Sequence, residues 1–158
     1  MMIEVRRVES EVLQGVRHRV LWPHLENSQQ AIIDIDHSTG AIHLAAFYNG
    51  EVVGVASLFN QKCKRMPEIF TSLKVYRLRA MGVLEYMRGG RVGAFIIEKA
   101  ITEMKVDGVE IVWCDAREVA CGFYEKLGFK FVRQKNGDEL EPYLVRNVGL
   151  HKLMFKRL

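Results

Sequence analysis

Cysteine is scarce in this sequence, with only Cys63, Cys114 and Cys121 among 158 residues. An odd number of cysteines cannot all pair with one another, and no two stand at C-x-x-C spacing, so neither a disulfide framework nor a zinc knuckle is supported. Cys114 lies in a strand-like apolar run and Cys121 in a helix-like run. Both are therefore expected to be small buried hydrophobic residues.

Long apolar runs are also missing, since the longest, Val52–Phe59, is too short to cross a bilayer. The first residues, Met-Met-Ile-Glu-Val-Arg-Arg, carry charges where a signal peptide needs an apolar stretch. These absences predict a cytoplasmic protein with no membrane partner. The length and the lack of repeats or linkers predict a single domain over residues 1–158. The formal net charge of +4 indicates an anionic partner of some kind.

Hydrophobic periodicity predicts a mixed α/β architecture. The predicted strands cover residues 3–8, 43–47, 52–59, 75–84, 109–114, 129–133 and 148–156. Asn49-Gly50 separates the second and third of these and is a strong hairpin signal. Residues 61–71 are polar and predict a loop. The strand-helix-strand units favour a partly parallel, twisted sheet, with an antiparallel portion at the hairpin.

Three helices are predicted between these strands. The first is capped by Ser10 and should end before Pro23, because the residue ahead of a proline is pushed out of the helical region. The second runs from about Gly90 to the Asp107-Gly108 stop, and the third from about Ala116 to Leu127, with Gly128 as its C-cap. Ala120, Phe123 and Leu127 are expected to pack into the core, and Asp115 with Glu118 to form a capping pair.

A glycine-rich stretch, Arg88-Gly89-Gly90-Arg91-Val92-Gly93-Ala94, lies between a strand and the second helix. Unpaired amides at a helix start, the helix dipole and two arginines together form an anion site suited to a diphosphate. Neither G-x-G-x-x-G nor a Gly-Lys-Ser/Thr phosphate loop is present, which argues against a nicotinamide cofactor or a nucleoside triphosphate.

This stretch resembles the acyl-coenzyme A motif of the GNAT family of N-acetyltransferases, Arg/Gln-x-x-Gly-x-Gly/Ala, with Arg91 where the family usually has glycine. A longer resemblance follows in Asp115-Ala116-Arg117 and Gly122-Phe123-Tyr124-Glu125-Lys126-Leu127-Gly128-Phe129, with Asp115 where the family has asparagine. The resemblance covers most of the chain, the first forty or so residues least. It implies a GNAT-like fold, with a twisted mixed sheet of about six to seven strands and about four helices.

The resemblance implies an enzyme that transfers acetyl from acetyl-coenzyme A to an amine. Tyr124 would protonate the departing thiolate, and a strand bulge at Met81–Val83 would hold the pantetheine and polarise the thioester carbonyl. The cofactor-binding residues that it implies are Met81, Gly82, Val83, Arg88, Gly89, Gly90, Arg91, Val92, Gly93, Ala94, Asp115 and Phe123. The base that deprotonates the amine stays open between Glu85 and water.

The acceptor is expected to be a small-molecule or peptide amine. Arg17, His18, Arg19, Trp22 and His24 cluster near the predicted acceptor side, and Arg77 and Arg79 share one face of a predicted strand. These charges are compatible with an acidic acceptor, but we interpret them as solvated surface. Asp34, Asp36 and His37 are interpreted as a polar loop, so no metal is predicted. A homodimer stays open. The alternatives are a non-catalytic acyl-coenzyme A-binding module and a basic nucleic-acid-binding protein, the latter disfavoured because no aromatic residues interleave with the lysines of 62–65.

Overall fold

The structure is a computed structural model that describes residues 2–70, 73–146 and 148–158. The predicted domain (residues 1–158) includes Met1, and the predicted loop (residues 61–71) includes Thr71. Both residues lie outside the described residues. Within the part of the chain that the structure describes, the mixed sheet has eight strands and is accompanied by three α-helices, so the predicted α/β class is confirmed. The chain divides into two compact units, Met1–Asn60 with Leu78–Met104, and Gln61–Arg77 with Lys105–Leu158.

In the first unit β1 (Glu4–Arg7), β2 (Ile42–Tyr48) and β3 (Glu51–Asn60) pair antiparallel in this order. The later part of β4 (Val75–Val83) lies next to β3. The β2–β3 hairpin turns at Asn49 and Gly50, whose φ angles of 50° and 80° are those of a two-residue primed turn. The predicted hairpin is therefore confirmed, and Tyr48 pairs with Glu51 across it.

Helix α2 (Val92–Val106) covers β3 in the first unit and buries Val92, Ile96, Ala100 and Met104, which recur at helical spacing. The helix packs so closely that a Cβ on Gly54 would lie 2.8 Å from Ile96 Cδ1. The missing side chain at position 54 is what allows this approach. The helix ends at Val106, and Gly108 follows with a φ of 74° and an amide bonded to the Lys105 carbonyl, as the predicted Asp107-Gly108 stop requires.

The predicted first helix is an irregular segment. It consists of a 3-10 turn (Ser10–Leu13), a short α1 (Gln14–Val16) and a π-helical turn (Arg17–Leu21). The segment ends ahead of Pro23, as expected. The capping role of Ser10 is wrong, because Glu9 occupies the N-cap without a side-chain bond and Ser10 is buried in the turn.

The second unit contains the start of β4 and, in order, β5 (Ile111–Arg117), β8 (Gly149–Arg157) and β6 (Lys130–Phe131), with β7 (Tyr143–Val145) also on β8. Val75–Arg77 pairs in parallel with Ile111–Trp113. The hydrophobic core of this unit is a cluster of buried side chains: Cys63, Met66, Phe70, Val75, Ile111, Trp113, Val132 and Leu153.

The third predicted helix begins later than expected. Ala116 and Arg117 still belong to β5, because they pair with Lys152 and His151 of β8. A 3-10 turn (Glu118–Ala120) follows, and α3 covers only Cys121–Lys126. Across the described ranges, no helix is long and apolar enough to span a membrane.

Candidate active site

The glycine-rich stretch forms a left-handed turn ahead of α2. Gly89 has a φ of 82° and Arg91 a φ of 66°, so the helix begins at Val92 rather than at Gly90. Positive φ is unfavourable for a residue with a Cβ and free for glycine. This is a physical reason why glycine suits position 91. Arg91 adopts the left-handed backbone conformation there at a steric cost.

The amides that open α2 point ahead of the helix. The first intrahelical hydrogen bond runs from the Phe95 amide to the Arg91 carbonyl at 3.0 Å. The amides of Val92, Gly93 and Ala94 come before it and have no carbonyl acceptor within the helix. The positive end of the helix dipole lies at the same place. This arrangement can bind a phosphate without any further side chain.

The two arginines of the turn differ in their surroundings. Arg88 is exposed. Arg91 lies along the helix, 5.5 Å over the Phe95 ring and with Nη2 at 3.4 Å from Glu98 Oε1. The Arg91–Glu98 pair is more than half exposed on both sides and contributes little stability. Both guanidinium groups are therefore free to turn toward an anion.

Met81–Val83 forms the end of β4, directly after an irregular residue. Ala80 has a φ of 52°, so the distortion expected at Met81–Val83 begins one residue earlier. A Cβ on Gly82 would lie 3.2 Å from Val20 Cγ1 and 3.3 Å from Leu21 Cδ2. The π-helical turn therefore packs against this strand end, a contact that sequence periodicity did not indicate.

Tyr124 is buried in α3, with 8% of its surface exposed. Its ring lies 5.1 Å from that of Phe123 and 5.3 Å from that of Phe129. Burial raises the pKa of Tyr124 well above its ordinary value, so the phenol keeps its proton. Gly128, with a φ of 90°, caps the helix as predicted and returns the Phe129 amide to the Tyr124 carbonyl.

The buried face of α3 differs from the predicted one. Ala120, Phe123 and Leu127 are only half-buried, whereas Cys121 and Tyr124 are buried. The prediction was wrong because α3 covers only Cys121–Lys126, so Ala120 and Leu127 lie outside the helix whose spacing was assumed.

The cysteines pack as small hydrophobic residues, since all three are free and buried. Burial raises the pKa values of the Cys114 and Cys121 thiols, which disfavours the nucleophilic thiolate. The expected packing role of Cys114 and Cys121 is confirmed.

Asp115 receives three donors from its own unit. Arg77 Nη2 donates to Oδ2 at 2.6 Å, and both Arg65 Nη2 and the Tyr143 hydroxyl donate to Oδ1. The predicted capping pair with Glu118 is therefore wrong, because Asp115 lies inside β5 and the N-cap of the following turn is Arg117, without a side-chain bond. Arg65 and Tyr143 contact the predicted site residue Asp115, and sequence reasoning missed both contacts.

The arginine at position 17 is not surface charge, which corrects the interpretation given above. Its side chain is fully buried, and Nη1 and Nη2 donate to the two carboxylate oxygens of Asp36 at 2.8 Å and 2.9 Å. Burial acts to raise the pKa of Asp36, but the bonds from Arg17 and from the Ile33 amide lower it below its usual value. Asp36 is therefore an ionised partner of Arg17 rather than a residue of an exposed polar loop.

His43 completes this buried network. Arg17 Nη2 donates to Ser57 Oγ at 2.8 Å, and His43 Nε2 donates to the Asp36 carbonyl at 2.7 Å. Nδ1 of the same ring lies 2.8 Å from the Ser57 hydroxyl oxygen, within hydrogen-bond distance. Within the described ranges, no group of three or more His, Cys, Asp or Glu side chains is placed to hold a metal.

Comparison with known proteins identifies the family of this chain. The profile of the Acetyltransferase (GNAT) family matches residues 7–129. YitI of Bacillus subtilis (strain 168), named as an uncharacterized N-acetyltransferase, is 34% identical over 157 residues, which cover 99% of this chain and 97% of that protein.

Solved structures show the same fold. ElaA of Escherichia coli superposes with a TM-score of 0.73 at 20% identity, covering 98% of this chain and 99% of that one. An aminoglycoside 6'-N-acetyltransferase complexed with coenzyme A gives a TM-score of 0.70 at 16% identity, covering 99% and 97%. With the family profile matching most of its length, this chain belongs to the GNAT family of acetyltransferases and is an acyltransferase.

Proposed function

We propose that the protein transfers an acetyl group from acetyl-coenzyme A to a primary amine by direct attack on the thioester. The family uses acetyl-coenzyme A, which fits the anion-binding turn ahead of α2. The single observation that carries the proposed mechanism is the buried, protonated Tyr124 within the motif that resembles the family's own. The whole of residues 1–158 acts as one catalytic domain in this proposal, in the cytoplasm.

Two groups of residues would hold the coenzyme, one at its diphosphate and one at its pantetheine arm. The amides of Val92, Gly93 and Ala94, with Arg88, Gly89, Gly90 and Arg91, bind the diphosphate. Met81, Gly82 and Val83 contact the pantetheine arm through their backbone, and Phe123 lines it. Asp115, whose carboxylate is already held by Arg65 and Arg77, lies beside the arm as an acceptor only.

Acetyl transfer forms a C–N bond and breaks a C–S bond. The neutral amine attacks the thioester carbon, and an amide near Met81–Val83 stabilises the negative charge on the carbonyl oxygen. Tyr124 donates its hydroxyl proton toward the departing sulfur, and water takes the proton that the amine loses. Since a free tyrosine titrates near 10 and a thiol near 8.5, full transfer is unfavourable by about 2 kcal/mol even before burial. Tyr124 therefore assists departure by hydrogen bonding.

Release of free thiol tests this function. Purified protein is incubated with acetyl-coenzyme A and a panel of primary amines, and the thiol is titrated over time. Amine-dependent thiol release with formation of the N-acetyl product is expected. If coenzyme A binds but none of the amines gives release above slow hydrolysis, the protein is a binding module and the proposed transfer is contradicted.

The pH profile follows from the direction of the Tyr124 pKa shift. Burial raises this pKa, so the phenol stays protonated up to at least its ordinary value near 10. A primary amine with a pKa near 10.4 becomes neutral as pH rises. We expect kcat/KM to rise about tenfold per pH unit between pH 6 and about 9. A falling limb below pH 10 that vanishes in Tyr124→Phe would contradict this assignment.

Replacing Arg88 tests the diphosphate site. Arg88→Gln removes a charge-assisted donor, so KM for acetyl-coenzyme A should rise about 10- to 100-fold, with kcat changed little. Lys99→Gln is the matched control, because Lys99 lies on α2, the helix that follows the turn of Arg88, and pairs with Glu103. Equal effects of the two substitutions would indicate a general charge effect and argue against a contact from Arg88.

A further inference from the structure

The second unit holds an excess of positive charge around a single carboxylate. Arg65 and Arg77 each place one terminal nitrogen on Asp115, whose Oδ1 is also occupied by the Tyr143 hydroxyl. One carboxylate balances one of the two guanidinium charges. The cluster of Arg65, Arg77, Asp115 and Tyr143, here called the double-arginine cluster, therefore keeps one positive charge unbalanced.

Part of the donor capacity of Arg77 is unused. Its Nε is buried and has no hydrogen-bond partner among the described residues. Its Nη1 has Gln61 Oε1 at 3.5 Å, which is at the outer limit of a hydrogen bond. Buried donors are nearly always satisfied by protein, water or a ligand. The unused donors of Arg77 thus indicate that an acceptor atom binds beside this side chain.

Stacking fixes both guanidinium groups before any ligand arrives. Arg65 lies 4.2 Å over the Tyr143 ring, and Arg77 lies 4.7 Å over the Trp113 ring. Trp113 Nε1 in turn donates to the Gln61 carbonyl at 2.8 Å. Groups held in this way lose little conformational entropy on binding. A stacked guanidinium presents its N–H edge, which matches the two oxygens of a carboxylate.

The double-arginine cluster is partly open to solvent, chiefly through Arg65. The Arg65 side chain is 47% exposed and that of Arg77 is 22% exposed. Asp115 lies on β5, nine positions before Tyr124 in the same strand-turn-helix segment. Resting on the proposed function, we propose that Arg65 and Arg77 bind a carboxylate of the acceptor, so that the substrate is an amine that also carries an acidic group. Asp115 is a positioning residue in this scheme, because it orients both arginines.

Matched amines with and without a carboxylate test this inference. We would compare γ-aminobutyrate with butylamine, δ-aminovalerate with pentylamine and phenylalanine with phenethylamine, measuring kcat/KM by thiol release. At least one carboxylated amine should exceed its partner about tenfold or more. Arg65→Gln should reduce that ratio about 10- to 100-fold, as expected for loss of a charge-assisted bond, while KM for acetyl-coenzyme A changes less than about twofold.

Lys64→Gln is the control variant, since it removes an exposed charge one position away on the same loop. The inference is contradicted if the protein uses both members of every pair equally well. It is also contradicted if Arg65→Gln leaves the ratio of kcat/KM within each pair unchanged and raises KM for acetyl-coenzyme A. The latter result would assign the arginines to a phosphate of the coenzyme.

A binding measurement separates this inference from the catalytic proposal. Glutarate should bind the protein in a calorimetric titration and stabilise it to heat, whereas glutaramide should not, and Arg65→Gln should abolish the difference. If glutarate binds but thiol is never released, the transfer reaction fails and the carboxylate site stands. If thiol is released from simple alkylamines and glutarate does not bind, the carboxylate site fails and the transfer reaction stands.

Discussion

Tyr124→Phe should lower kcat for acetyl transfer by roughly 10²- to 10⁴-fold, the usual contribution of a positioned proton donor. The substitution deletes one hydroxyl and keeps the ring that packs against Phe123 and Phe129. Binding of acetyl-coenzyme A should therefore change little. Single-turnover kinetics with a saturating amine would separate the chemical step from product release.

The exposed Tyr86 provides the matched control for this experiment, since it lies in the turn before α2 with 60% of its surface exposed. Tyr86→Phe should retain full turnover. Thermal unfolding of both variants should stay close to that of the parent. Unchanged turnover in Tyr124→Phe would remove Tyr124 from the mechanism, and thiolate departure would then need no protein acid.

Arg17→Met should destabilise the fold by about 3–5 kcal/mol, because it strands a buried carboxylate without its partner. Arg17 is fully buried, and the Asp36 side chain is 4% exposed. The substitution also removes donors to the Ala31 carbonyl and to Ser57. Denaturant unfolding at neutral pH measures the loss, and Arg17→Met with Asp36→Asn should recover part of it.

The pH dependence of stability gives a second readout of this pair. The folded-state pKa of Asp36 is lowered, so its contribution is present above its unfolded pKa of about 3.9 and is lost as pH falls toward the folded value. The difference between the parent and Arg17→Met should accordingly shrink below pH 4. A loss under 1 kcal/mol at neutral pH, or one independent of pH, would show that the pair contributes little.

Local signals explain what could be predicted from sequence. Asn49-Gly50 and Gly128 adopt positive φ where their residue types favour it, and the apolar spacing of α2 identifies its buried face. Each of these features depends on residues within a few positions of one another. They predict the mixed sheet and the glycine-rich turn ahead of α2.

Features set by distant partners could not be predicted. Arg17 can be buried because its guanidinium bonds to Asp36 and Ser57. These partners lie 19 and 40 positions away in the sequence, and no spacing rule relates them to Arg17. Asp115 likewise meets Arg65 from 50 positions away. The end of β5 was misplaced because its pairing with β8, rather than local propensity, continues the strand through Arg117. The three-residue strand β7 carries too few residues to show an alternation.

Calorimetric titration of coenzyme A into the folded protein tests most directly whether the amides that open α2 clasp its diphosphate. The proposal predicts saturable heat with one coenzyme bound per chain, and weaker binding when the diphosphate is removed and only the pantetheine is offered. Folded protein that gives no saturable heat, or that binds pantetheine as tightly as the whole coenzyme, would contradict it.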